Sequence, residues 1–290
     1  MDRNRLMRTP SPFLYRGFTL IEMIVVIVLT SILASAVAVF IKLPIQGYVD
    51  SARRAEMTDI ADTALRRMGR DLRLALPNSV RLTDSDATIE ILLTRTGGRY
   101  RAEVDSAGAG DILDFSVNDD PSFDQFGAFA TGAGQTIIAG DRLVVYNLGI
   151  PGANAYAGEN LANISGTAAG DLPSENKINF TFTLPTQKFP LESPGSRFQV
   201  VEGPVSYVCA GGTLTRYWGY AIQATQPNAA ALPGLAGVKS ALLATNVASC
   251  VFDYSPGITA RSGLVALTLV ITESGESVRL YHEVHVTNVP

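Results

Sequence analysis

The residues whose types and spacing could do chemistry stand near the front of the chain: Gly17, Phe18 and Glu22. Glu22 is the one ionisable side chain between Gly17 and Lys42, and the apolar run 23–41 follows it directly. A carboxylate placed in lipid near the head of a helix costs about 2.5–3.5 kcal/mol on insertion scales, so an acid in that position needs a partner. The fitting partner is a free α-amine. Cutting the chain after Gly17 creates one, because Phe18 then becomes a cationic N-terminus with Glu22 one helical turn behind it.

Elsewhere the chain offers little for catalysis. Its two histidines, His282 and His285, alternate on one strand pattern and point to opposite faces, so they cannot share a metal or a reaction. There is no GxSxG elbow, no HExxH and no phosphate-binding loop. The glycines of Thr131-Gly132-Ala133-Gly134 read as loop composition, since no strand–helix unit surrounds them. The acidic stretch holding Asp111, Asp114, Asp119, Asp120 and Asp124 has the oxygen ligands Ca²⁺ prefers, but its spacing is not an EF-hand. Solvated turn aspartates are the alternative there, and no carboxylate pair is singled out for glycoside hydrolysis. The expectation is a protein that is not an enzyme and carries no cofactor and no metal.

Cys209 and Cys250 are the two cysteines, both far beyond the apolar run. If that part of the chain is exported they are expected to pair, closing a loop worth about 4 kcal/mol in the chain-entropy model. Two free buried thiols are the alternative. Their spacing fits neither a CxxC redox motif nor a metal cluster.

The elements that must position these residues follow from pattern. The run 18–41 is long enough, at about 1.5 Å per residue, to cross a hydrocarbon core about 30 Å thick. Pro44 and Gly47 fall just past it, where a kink or local unwinding is expected. Residues 48–76 read as an amphipathic helix. Met57, Ile60, Ala61, Ala64, Leu65, Met68 and Leu72 form its packing side, and Asp62, Arg66, Arg70, Asp71 and Arg73 belong to a charged remainder that is solvated or meets neighbouring subunits. Pro77-Asn78 stops the helix. Beyond Asn78 the period drops to two. Strand patterns occur at 88–94, 99–104, 112–117, 142–147, 177–184, 197–201, 205–209, 213–222, 247–254, 264–271 and 277–286. Long Gly/Ala-rich loops at 126–140 and 149–174 separate some of them. The fold class is therefore α+β, a long N-terminal helix packed on an antiparallel sheet. The expected organisation is a leader 1–17, a membrane helix 18–42, an amphipathic half 43–77 and a β-rich domain 78–290.

Of 290 residues, 47% are apolar and 17% charged, which suits a folded chain. Without residues 1–17 the side chains number 26 acidic against 19 basic, a balance of −7. No Lys/Arg run interrupts that balance, so no nucleic-acid partner is indicated. Arg3, Arg5, Arg8 and Arg16 hold the front of the chain in the cytoplasm and the body in the periplasm by the positive-inside bias. Met7 is an alternative start. An ordinary secretory signal peptide is the rival reading, with cleavage before Val37 or Val39, but it leaves Glu22 unexplained in the apolar core.

Gly17-Phe18-Thr19-Leu20-Ile21-Glu22, after a basic leader and before an apolar helix, resembles the processing motif of type IV prepilins and pseudopilins. The resemblance implies that a prepilin peptidase cuts after Gly17 and methylates Phe18, and that Glu22 pairs with the amine of a neighbouring subunit during assembly. It also implies the partners: other pilin or pseudopilin subunits, the peptidase/methylase and an inner-membrane assembly platform. The C-terminal third extends the likeness. Val205-Ser206-Tyr207-Val208-Cys209, Leu214-Thr215-Arg216-Tyr217, Cys250 and the ending from Glu283 to Pro290 are similar to MSHA-pilus biogenesis proteins of the MshO type. The function implied is a minor pilin in assembly or initiation of a pilus, held by one pass in a bacterial inner membrane. The alternatives are a type II secretion minor pseudopilin of the J type and, from another class, a periplasmic enzyme or binding domain.

Overall fold

The computed structural model describes residues 17–184, 186–256 and 262–290. The expected leader, except for Gly17, lies outside the described residues. The chain divides into two compact units, residues 1–53 and 54–290.

In the first unit the chain is helical from Leu20, the start of α1 (Leu20–Arg73). An 18-residue window of this helix reaches a mean hydropathy of 2.9 with none of it buried, long and apolar enough to cross a membrane. Pro44 lies inside α1, and the helix continues through it and Gly47. The local unwinding anticipated there is absent: a proline removes one rung of the ladder, and the turns on either side retain theirs.

In the second unit the rest of α1 buries Met57, Ala61, Ala64, Leu65, Met68 and Leu72, with Ile60 half-buried beside them. The helix ends at Arg73, before Pro77. Leu76 N–H donates to Leu92 O at 2.8 Å and Thr94 N–H to Leu74 O at 2.8 Å, so the chain is drawn into the sheet before the proline can act.

Twelve strands follow among the described residues, every pairing between them antiparallel. The first six are β1 (Arg81–Thr83), β2 (Thr88–Arg99), β3 (Ser122–Gln125), β4 (Arg142–Val145), β5 (Leu161–Ala169) and β6 (Asn176–Thr181). The remainder are β7 (Arg197–Ala210), β8 (Thr213–Trp218), β9 (Lys239–Ala244), β10 (Val247–Ser255), β11 (Gly263–Glu273) and β12 (Glu276–Val286). Nine form one sheet with the path β1-β2-β7-β4-β5-β6-β3, and β8 and β9 branch from β7. β7 changes partner along its length: residues 198–201 pair with β4, and residues 205–210 with β8. Pro204 falls at the changeover, where a missing N–H breaks no ladder on that edge. β10, β11 and β12 make a separate three-stranded sheet.

Two cores result. Along the helix, the face just named packs on Ile89, Ile91, Val205, Tyr207 and Leu214 of the large sheet and on Phe252, Val265, Leu267, Leu269 and Val284 of the small one. Away from it, Tyr100, Phe123, Phe180, Phe182, Phe189 and Phe198 form an aromatic core with Phe182 and Phe189 centroids 5.0 Å apart. This is an α+β fold, as the change of period indicates.

Several strand boundaries depart from the pattern reading. Residues 99–104 and 112–117 are not strands apart from the last residue of β2 and a single bridge from Tyr100 to Gln125. The loop read at 149–174 contains β5, whose sequence Leu161-Ala-Asn-Ile-Ser-Gly-Thr-Ala-Ala has little intrinsic strand preference but is held between β4 and β6. β9 was likewise unmarked, being rich in Ala and Leu, and is fixed by pairing with β8.

Candidate functional site

The front of α1 is built by Thr19. Its Oγ1 accepts from Glu22 N–H at 3.3 Å and its carbonyl from Met23 N–H at 3.2 Å, the arrangement of a helix N-cap. Glu22 is thereby placed in the first turn, four residues after Phe18. The other polar side chains in this stretch are satisfied by their own helix. Thr30 Oγ1 donates to Val26 O at 2.7 Å, Ser31 Oγ to Ile27 O at 2.7 Å and Ser35 Oγ to Ile32 O at 2.8 Å. Among the described residues the Glu22 carboxylate has no hydrogen-bond or ion-pair partner, and Phe18 is exposed. A charged group remains for which this part of the chain supplies no counterpart.

Cys209 and Cys250 form a disulfide, Cα atoms 6.2 Å apart, joining β7 to β10 and so the large sheet to the small one. The two free thiols of the alternative reading are not present.

The acidic stretch does not assemble as one loop. Asp111 and Asp124 converge with Asp171, whose contribution the sequence did not indicate, and their carboxylate oxygens lie within 4.8 Å of one another. Asp124 is fully buried and its Oδ2 accepts from the backbone N–H of Asp111 and Asp171. Lys177 Nζ stands among the three, 2.8 Å from Asp171, 3.0 Å from Asp111 and 4.0 Å from Asp124. Burial works against its charge, yet the hydrogen bonds to Asp171 and Asp111 prevail and raise its pKa. The position a cation would take is held by a side chain. Asp114 instead closes a turn by accepting from Ser116 N–H at 2.7 Å, and Asp120 accepts from Asp114 N–H at 2.8 Å. Asp120 and Asp124 are buried, so the solvated-turn account fails for them.

Asp71, placed by periodicity in the charged remainder of the helix, is also buried. It accepts from Tyr207 Oη at 2.7 Å and Arg216 Nε at 2.8 Å. On the other face of β2 from Ile89 and Ile91, buried Glu90 takes a hydrogen bond from Arg81 at 3.1 Å, while the Arg81 guanidinium lies 3.5 Å over the Tyr156 ring. Burial raises the Glu90 pKa to about 7 despite Arg81. Neither group was distinguishable by spacing, since each depends on chain distant in sequence. His282 packs beside Gly69 of α1, and His285 lies exposed on the opposite face of β12.

Residues 14–38 match the model of the prokaryotic N-terminal methylation motif. No curated protein and no solved structure matches the chain. The motif supports a type IV pilin-type protein, anchored in a membrane through one apolar N-terminal helix and interacting with other pilins and a prepilin peptidase.

Proposed function

Starting from a chain of the type IV pilin kind, we propose that it is a minor pilin, a structural subunit added at the inner membrane to a growing pilus. The observation that carries this is the unpartnered Glu22 carboxylate at the head of an apolar helix, one turn behind Phe18. A peptidase cuts after Gly17 and methylates the new Phe18 amine. Within the bilayer, Glu22 of one subunit and the Phe18-type ammonium of the next each relieve the other's poor solvation, and the attraction sets the subunits in register. The reading assigns the chain no catalysis and puts the β-rich domain, residues 78–290, in the periplasm. An assembly platform in the inner membrane is a further partner in this scheme.

The finer assignment, an MSHA-type pilus, draws support from the strings around Cys209, Arg216 and Cys250 and from the C-terminal ending. Partners that co-purify with the chain separate this from a type II secretion pseudopilin.

Mass spectrometry of the mature N-terminus tests the proposal. N-methyl-Phe18 is expected, and a chain beginning at Val37 or Val39 would establish simple secretion instead. Glu22→Ala should preserve cleavage and membrane insertion while reducing incorporation into filaments; undiminished incorporation contradicts the role given to Glu22.

A further inference from the structure

We propose that the cleft between α1 and β12 is a docking site for an acidic segment of a neighbouring filament subunit. The inference rests on the pilin reading for the identity of the partner. The cleft, about 580 Å³, is lined chiefly by Asp62, Arg66, Gly69, Arg70 and Arg73 of α1 and by His282 of β12. The spacing of Arg66, Arg70 and Arg73 (i, i+4, i+7) puts three guanidinium groups on one helix face. Arg66 is held by Asp62 at 2.6 Å, whereas Arg70 and Arg73 are exposed and have no ion-pair or hydrogen-bond partner among the described residues. Cations in the last turn of a helix complement its carbonyl end, which accounts for basic residues there. It does not account for a concave site that also includes Arg66 and a histidine from another element.

Gly69 shapes the floor. A Cβ at this position would lie 3.2 Å from His282 Nε2, so the missing side chain is what lets α1 and β12 approach. Glycine is otherwise a poor choice inside a helix. β12 supplies the second recognition feature. Among the described residues it pairs only with β11, which makes it an eleven-residue edge strand with backbone donors and acceptors available on its other side. An extended segment can add to such an edge while its side chains reach the adjoining cleft.

Charge selects the occupant. Residues 54–290 carry 24 acidic against 17 basic side chains, so the basic cleft is a local reversal on a negative body. Guanidinium groups match carboxylates in bidentate geometry, and the partner chemistry that fits is an extended stretch with aspartate or glutamate side chains.

The test uses the full chain in detergent, with a fluorescein-labelled ten-residue glutamate peptide as probe and a glutamine peptide as control. Saturable, salt-sensitive binding of the glutamate peptide is expected, with the His282 ring resonances shifting over the same concentrations. Arg70→Glu with Arg73→Glu should weaken it by about tenfold or more, as two charge-assisted contacts are lost. Arg279→Glu, on the outer face of β12, should leave it unchanged. Equal binding by the double variant, a silent His282, or inorganic phosphate competing as well as the peptide would each overturn the proposal. So would self-association of the chain that depends on Arg70 and Arg73 in place of peptide binding. In cells, the double variant should be cut and methylated at Phe18 yet fail to co-purify with other subunits. Normal co-purification sinks the docking site alone, whereas a wild-type chain not processed at Phe18 sinks the pilin reading beneath it.

Discussion

Asp71 on α1 and Arg216 on β8 form an ion pair at 2.8 Å with each side chain only 8% exposed. Tyr207 from β7 donates to the same carboxylate oxygen, so one helical residue gathers two strands. Removing one member of such a pair strands the other charge in the interior, a loss of about 3–5 kcal/mol. Asp71→Ala is therefore expected to lower stability by that amount, measured by denaturant unfolding of the detergent-solubilised chain. A loss below about 1 kcal/mol, the level of an exposed pair, would show that the carboxylate is not doing this.

Glu90 gives stability an unusual dependence on pH. Its folded pKa, about 7, lies above the ordinary 4.5, so between those values the folded chain holds a proton the unfolded chain has released. Stability from this group is thus greatest below about pH 4.5, falls as pH climbs to about 7, and is level beyond; the total change is about 3 kcal/mol. Glu90→Gln should flatten that part of the profile. Parallel profiles for the variant and the native chain would refute the assignment.

Lys177 is predicted to act as a permanent internal counter-ion. Lys177→Met leaves Asp111, Asp124 and Asp171 facing one another and should lower stability by about 2 kcal/mol, the scale of hydrogen bonds to charged groups. Millimolar Ca²⁺ should restore part of that loss in the variant by mass action and leave the native chain unmoved. A native unfolding midpoint that rises with Ca²⁺ would mean the ammonium is displaced by metal.

The Cys209–Cys250 bridge closes a separation of 41 residues. Cys209→Ser with Cys250→Ser should lower stability by about 4 kcal/mol in the chain-entropy model. Comparing unfolding midpoints of the double variant and the oxidised chain measures it, and identical midpoints would contradict the estimate.

What the sequence discloses divides along a physical line. The packing side of α1 was legible because burial against any flat neighbour imposes the same 3.6-residue repeat, and Met57, Ala61, Leu65, Met68 and Leu72 obey it. Asp71 broke that logic. It shares the helix with exposed arginines, and only the arrival of Arg216 and Tyr207 from over a hundred residues away turns its charge inward. β5 and β9 were obscured for a related reason, since Ala, Gly and Leu gain their extended form from neighbours that hold them. The strand patterns at 205–209 and 213–222 were plain by contrast, and the turn that joins β7 to β8 is set locally by Gly211 and Gly212, which both take positive φ, 58° and 74°. Glu22 was the clearest signal, a lone charge in an apolar run. Asp171 and Lys177 carried none.

On the pilus-subunit reading proposed above, the bond between Cys209 and Cys250 acquires a mechanical meaning. It rivets the nine-stranded sheet to the three-stranded one, so traction that would unzip them must first rupture sulfur from sulfur. Hydrogen-bonded ladders yield one rung after another. A covalent rivet passes the load on, and the two sheets bear it together.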